Sequence, residues 1–368
     1  MKTYELLKAF AETPGPSGFE TRISDLVRET WQPFVDAIKV DRVGNLVGLK
    51  KGVGSDPKPK ILLAAHMDEI GLMVTKMEAY PDTGGGFLRA TSVGGVDRRQ
   101  LYGQKVVVHG SKNEQRDLPG VLGSLPRWLL PNDRGEKTQD YLDLVVDLGL
   151  SLSEIEETVA VGDFISFKQP VRKLLNKRVT GKAMDNRVSV VVLTKCLEML
   201  GKRSHEWDIV AVTTAQEETA LLGAFTSAYD QQPDVAIAVD VTFAKGPGLT
   251  EDFSYSLGDG PTIGIGPNVH PGIFQALQDA ADRIEVDVHI EPHSRMSGTD
   301  LVGLQIARQG IPTGLVSIPI RNMHTSTEIV SLVDINRAAR LIVEFITNLD
   351  DSFLATLREQ LMGDDKKN

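Results

Sequence analysis

Cysteine is nearly missing from this chain: its 368 residues contain one, Cys196. A single thiol excludes an internal disulfide framework and any zinc site built on several thiolates. No run approaches the roughly eighteen uninterrupted apolar residues that a membrane-spanning helix needs. Basic clusters are missing too. The 40 Lys and Arg stand against 50 Asp and Glu, a formal net charge of −10, and such a chain repels a phosphate backbone, which argues against nucleic acid as a partner. The opening Met1-Lys2-Thr3-Tyr4-Glu5 passes straight into an amphipathic pattern without a secretory apolar region. The expectation is a soluble, cytoplasmic protein with no membrane partner, whose metal ligands, if any, are His, Asp and Glu. What is present suffices for a large core, with 41 % hydrophobic and 24 % charged residues. The length suits two ordinary domains or one large α/β domain carrying an insertion. With only 7 histidines in the chain, their placement is the most informative clue.

Hydrophobic periodicity predicts helices over 4–12 and 19–31, separated by Pro14-Gly15-Pro16-Ser17-Gly18, with Ser17 as a cap for the second. A hairpin over 36–50 turns at Gly44-Asn45, and the run Ile61-Leu62-Leu63-Ala64-Ala65 has the continuous apolar character of a strand buried on both faces. From 71 to 175 the texture changes to short β-rich pieces and glycine turns, read as a small β-barrel-like insert. Its one convincing helix covers 153–159, with Ser153 and Glu156 at capping-box spacing. Strand and helix then alternate: helices at 188–199, 219–229, 271–284, 299–309 and 334–350, strands at 208–214, 235–239, 285–290 and 313–317. Such alternation predicts an α/β fold, a three-layer helix–sheet–helix domain with a mostly parallel central sheet, interrupted by the insert. The expected division is 1–70 with 176–358, then 71–175, then a polar tail at 359–368.

Polar residues leave these buried strands at informative places. His66, Asp68 and Glu69 follow the strand at 61–65, Glu217 and Glu218 follow 209–215, Asp240 ends 235–239, and His324 follows 315–319. In open α/β sheets the carboxyl ends of strands form the binding crevice, and Asp185, opening a helix, can aim a carboxylate at the same place. Each residue alone has an ordinary explanation as a cap or a satisfied core group. Adjacent Glu217 and Glu218 are harder to explain, since two carboxylates repel unless something positive lies between them. Two imidazoles and several carboxylates converging on one crevice point to a metal. His270 and His293, each beside a proline, are further candidates for substrate contact, whereas Cys196 sits mid-helix among leucines and belongs to the core.

His66-Met67-Asp68-Glu69-Ile70-Gly71, Met184-Asp185-Asn186-Arg187, Gln216-Glu217-Glu218, Asp240 and Arg321-Asn322-Met323-His324 resemble the motifs of the M42 family of dinuclear metallo-aminopeptidases. The opening Pro14-Gly15-Pro16-Ser17-Gly18-Phe19-Glu20 and the β-rich insert resemble it as well, and the likeness runs in order from Tyr4 to Asp350. It implies two divalent ions per subunit, Zn²⁺ or Co²⁺. His66 and Asp240 would hold one, Glu218 and His324 the other, with Asp185 bridging. Glu217 would be the general base and Asp68 would fix the His66 imidazole. The resemblance further implies peptide substrates trimmed from the N-terminus, and a homo-oligomer, a dimer or dodecamer, assembled through the insert. Ser189, Thr219, Leu222, Asn322 and Thr325-Ser326 depart from the family's usual residues without touching a ligand, so they bear on substrate preference. For the substrate pocket the segments around His270 and around 298–300 are expected, with Thr299 and Arg321 as contacts. A deacylase or carboxypeptidase of the M20 group would carry its smaller domain after the double-Glu motif, whereas here the insert comes before Asp185. A metal-free glycoside hydrolase would leave both histidines unexplained.

Overall fold

A computed structural model describes residues 1–79, 84–113, 115–124 and 144–362. Helices α1 (Thr3–Glu12) and α2 (Thr21–Trp31) lead into the hairpin β1 (Ala37–Val40) and β2 (Leu46–Lys50). The hairpin turns where the Asp41 carboxylate accepts the backbone N–H groups of Val43 and Asn45. After β3 (Lys60–His66) come β4 (Gly71–Ala79), β5 (Gly86–Val93), β6 (Lys105–Gly110), β7 (Arg116–Gly123), β8 (Val145–Asp147), α3 (Leu152–Thr158) and β9 (Phe164–Phe167). β10 (Arg172–Lys173) and β11 (Arg178–Gly181) precede α4 (Met184–Leu200). The chain continues through β12 (Asp208–Thr214), α5 (Glu217–Ala220), α6 (Leu222–Gln231), β13 (Val235–Phe243), β14 (Thr262–Ile265), α7 (Pro271–Arg283) and β15 (His289–Pro292). It ends with α8 (Asp300–Gln305), β16 (Thr313–Ile320), β17 (Glu328–Ser331), α9 (Leu332–Thr347) and α10 (Phe353–Met362).

Eight strands form one sheet in the order β1-β2-β12-β3-β13-β16-β14-β15. β3 lies parallel to both β12 and β13, and β13 parallel to β16, so the centre of the sheet is parallel and its carboxyl ends open on one crevice. Along β3 the side chains alternate between two cores. Ile61, Leu63 and Ala65 pack with α1, α2, α4 and α9 through residues such as Phe10, Trp31, Leu193 and Ile342. Leu62 and Ala64 pack on the other face with Val210, Val212, Ala224 and Leu301. Helices on both faces therefore explain why the run is apolar at every position rather than at every second one. The six strands β4-β5-β8-β7-β6-β9 close into a barrel with its own core of Leu72, Val74, Leu88, Val106, Val108, Val146 and Ile165. The sequence thus correctly predicts a helix–sheet–helix fold interrupted by a small barrel.

Local differences from the sequence reading have physical causes. Ser17 does not cap α2. Its N–H donates to the Glu69 carbonyl and its hydroxyl faces Thr219, which ties the Pro-Gly segment to the crevice instead. The capping box of α3 is Ser151 with Glu154, two residues earlier than the expected pair. The helix expected at 219–229 breaks at Leu221, whose φ is 57°, into α5 and α6. β13 continues to Phe243, so Asp240 lies within the strand rather than at its end. β15 forms later than 285–290, and Ile290 is exposed on it. β10, β11 and β17 pair antiparallel into a three-stranded sheet of their own. α10 runs to Met362, past the expected start of the tail, and 363–368 lie outside the described residues.

Candidate metal centre and substrate cleft

Parallel β-structure delivers His66 at the end of β3 and, in register beside it, Thr214 at the end of β12. After Ala215 the chain takes a left-handed step at Gln216, φ 58°, and α5 begins with Glu217 and Glu218. The Gln216 N–H is held by Glu20 Oε1 at 3.1 Å. The Glu217 and Glu218 amides donate to the two oxygens of Asp68, each at 3.1 Å, so a buried carboxylate anchors the first turn of α5. Asp185 enters from the start of α4, where its own backbone is not yet helical. His324 follows β16 and has φ 61°, with its Nδ1 3.1 Å from the Gly95 carbonyl.

Asp185 stands between the two imidazoles. Its Oδ1 is 3.1 Å from His66 Nε2 and its Oδ2 is 3.4 Å from His324 Nε2. Asp240 Oδ1 lies 3.9 Å from His66 Nε2, Glu217 Oε2 3.8 Å from it, and Glu218 Oε2 3.5 Å from His324 Nε2. Two triads of candidate ligand atoms result, His66–Asp185–Asp240 and Asp185–Glu218–His324, each with its atoms within 4.8 Å of one another and sharing Asp185. Asp68 Oδ1 is 3.4 Å from His66 Nδ1, an ion-pair contact without hydrogen-bond geometry, and Nδ1 is buried without another partner.

Charge balance supplies the test of whether these residues suit a metal. No Lys or Arg lines the cleft among the described residues. Burial pushes the carboxyls of Glu217, Glu218 and Asp240 well up, and neighbouring carboxylates add to it, although His66 pulls the other way. Burial by itself would lower His66, yet the facing carboxylates of Glu217, Asp185 and Asp68 outweigh it and hold the imidazole well above its ordinary range. The Asp185 contact is the main cause that lifts His324 to about 9. Carboxylates this crowded are relieved by a divalent cation, and an all-imidazole and carboxylate donor set suits Zn²⁺ or Co²⁺. The residues fit such an ion.

Further residues surround this centre. Glu328, at the start of β17, accepts the Asp185 N–H at 3.2 Å with one oxygen and the His324 N–H at 2.9 Å with the other. Buried Asp300 accepts the Thr214 hydroxyl. A Glu heading an apolar strand reads as commonplace, so only the tertiary register reveals Glu328, whereas Asp300 lies within the segment 298–300 expected at the pocket. Behind the crevice, Lys182 and Glu69 form a buried pair at 2.6 Å.

The cleft has a volume of about 760 Å³, and Thr299, Ser297, Gly298, His293, Glu291 and Met323 line it together with the ligand cluster. Of the four candidates for substrate contact, Thr299 and His293 line the cleft, and the Thr299 hydroxyl also caps α8. His270 does not. It sits outside the lining as the N-cap of α7, its Nδ1 accepting the Gly272 N–H at 3.1 Å, which is what a residue ahead of a helix-starting proline does. Arg321 is also outside the lining, its Nε donating to the Lys245 carbonyl at 2.5 Å.

A mostly parallel sheet with imidazoles and carboxylates gathered outside its strand ends marks a metallohydrolase. More particularly, the M42 glutamyl aminopeptidase family profile matches residues 44–341, and the chain belongs to that family. It is therefore an aminopeptidase, a hydrolase acting on peptide bonds. It is similar to the lysyl aminopeptidase of Pyrococcus furiosus, 35 % identical over 346 residues that cover 93 % of this chain and 96 % of the relative. The structure is similar to that of an aminopeptidase from Desulfurococcus kamchatkensis, with a TM-score of 0.88, 36 % identity and 97 % of each chain covered. It is also similar to a Pyrococcus horikoshii TET1 peptidase that assembles into a tetrahedron or a large octahedral shell. There the TM-score is 0.81 and the identity 32 %, over 95 % of this chain and 100 % of that one. Among the described residues no helix is long and apolar enough to cross a membrane.

Proposed function

We propose that the protein is a dinuclear metal-dependent aminopeptidase in which Glu217 is the general base. His66 and Asp240 would hold one ion, Glu218 and His324 the other, and Asp185 would contribute one oxygen to each. The observation that carries this reading is the position of Asp185, whose two oxygens face different imidazoles. Such ions, Zn²⁺ or Co²⁺, supply Lewis acidity that polarises the scissile carbonyl and makes water acidic enough to lose a proton near neutral pH. Glu217 belongs to neither triad, so its carboxylate is left to take the proton of the attacking water and hand it to the departing amine. Asp68 holds Glu217 and Glu218 in place through their amides, and Glu328 does the same for Asp185 and His324. On the same footing, residues 71–175 are proposed to be a separate domain through which a homo-oligomer assembles, built of dimers and extending to a dodecamer.

The variant Glu217→Gln tests the assignment, because it keeps shape and loses only the base. It should bind two equivalents of metal per chain and lose about 100-fold or more of its turnover of aminoacyl p-nitroanilides. Near-wild-type turnover would remove Glu217 from the role. Metal analysis of the protein after chelation and reloading should give two ions per chain, with activity lost and regained in step. A single ion per fully active chain would exclude the dinuclear scheme.

A further inference from the structure

The family is described as glutamyl and one similar enzyme as lysyl, so likeness does not decide which N-terminal side chain this cleft receives. Its lining does. Past the ligand cluster the walls are Phe243, Phe253 and Tyr255, and among them stands one further carboxylate, Glu291 of β15. Thr242 of β13 donates its hydroxyl to Glu291 Oε1 at 2.5 Å, and Thr262 of β14 donates to Oε2 at 2.6 Å. Each oxygen thus keeps acceptor capacity beyond its clamp. His293 Nε2 is 3.7 Å away, too far for a hydrogen bond, and no Lys or Arg lines the cleft among the described residues. The side chain is 12 % exposed, so a charge placed against it is only weakly screened by solvent.

Distance along the strand agrees. Thr242 lies two residues beyond Asp240 on β13, so both side chains are on one face of the sheet, roughly 7 Å apart along it. That separates the Glu291 clamp from the ligand cluster by about the reach of a lysyl side chain. We infer that this pocket selects a cationic N-terminal side chain, lysyl or arginyl, laying its aliphatic stem on the aromatic walls and its charged head against Glu291. A glutamyl side chain would bring a second anion to a fixed carboxylate with no Lys or Arg on the walls to receive it, and like charges at such a site exclude a ligand as firmly as opposite charges attract one. The inference rests on the aminopeptidase reading and names its substrate class.

Norleucine is lysine without the ε-ammonium, which makes the comparison clean. For the metal-loaded wild-type protein, kcat/KM should favour lysyl over norleucyl p-nitroanilide by about 10-fold or more, and over the glutamyl substrate by about 100-fold or more. In Glu291→Gln the lysyl-to-norleucyl ratio should collapse to about one, chiefly through KM. Calorimetric binding of L-lysinamide against L-norleucinamide to the wild-type protein reads the same selectivity without turnover. A wild-type preference for the glutamyl substrate, equal kcat/KM for lysyl and norleucyl, or a ratio untouched by Glu291→Gln in a variant of wild-type mass and melting temperature would each overturn the inference. If none of the substrates is turned over, the aminopeptidase reading fails, and the two amides alone decide what Glu291 binds.

Discussion

The Asp68 carboxylate accepts the amide hydrogens of both Glu217 and Glu218 and also faces His66 at 3.4 Å, so three residues of the candidate centre are oriented by one fully buried side chain. An asparagine there would keep one acceptor oxygen and place an NH₂ group against an amide N–H. Asp68→Asn should therefore leave the fold intact while loosening the first turn of α5. The expected effect is a 10- to 100-fold loss of Zn²⁺ affinity, the usual cost of removing a residue that orients a ligand, read by competition with a chelating indicator. Unchanged affinity would show that the α5 amides need no anchor. Glu328 plays the corresponding part for the other triad, yet it is invisible in the chain until β17 is laid against β11, where Gly181 pairs with Glu328.

At the scale of elements, the turn after β5 reaches from the barrel to the centre. A Cβ on Gly95 would lie 2.6 Å from His324 Nδ1, and the Gly95 carbonyl is that nitrogen's hydrogen-bond partner. Gly95→Ala should push His324 off its position and drop the metal content from two ions per chain toward one, measured by elemental analysis, while the His66 triad stays filled. Two tightly held ions in the variant would disprove the coupling. How far such elements could be read in advance follows from burial. β3 and β12 were legible because a strand covered on both faces is apolar through its centre, and His66 and the Glu217-Glu218 pair stood out as titratable residues at or just past their carboxyl ends. β15 was misplaced because an edge strand with Ile290 exposed and Glu291 turned into the cleft has no clean alternation, and the pocket wall was missed with it. A proline next to a histidine signals a helix start as readily as a binding site, and His270 stands outside the cleft lining as the N-cap of α7.

At the scale of the whole molecule, barrel and sheet are joined by more than the Gly95 turn. His109 of β6 places Nδ1 2.8 Å from Asp117 and Nε2 2.9 Å from Ser166, with the Phe19 ring stacked on it at 5.0 Å. Arg22 of α2 grips the same Asp117 with two hydrogen bonds, at 2.6 and 2.9 Å. Ser, His and Asp are in line here, but Ser166 is buried and lines none of the clefts described, so the arrangement is a joint between α2 and the barrel rather than a nucleophile. Burial depresses the His109 pKa below 6.5, although Asp117 opposes it. Unfolding restores the ordinary value, so below 6.5 the unfolded chain binds more protons at this site than the folded one. The neutral imidazole therefore contributes stability that is present above about pH 6.5 and is lost as the pH falls through the depressed value. His109→Gln removes that titration and leaves every other group in place. Between about pH 7 and about pH 5 the wild-type melting temperature should fall more steeply than the variant's, by a stability difference of at most about 1.4 kcal/mol per pH unit. Profiles that run parallel through that window would mean that His109 titrates alike in the folded and unfolded chain, and that the joint holds by packing and the Arg22–Asp117 pair alone.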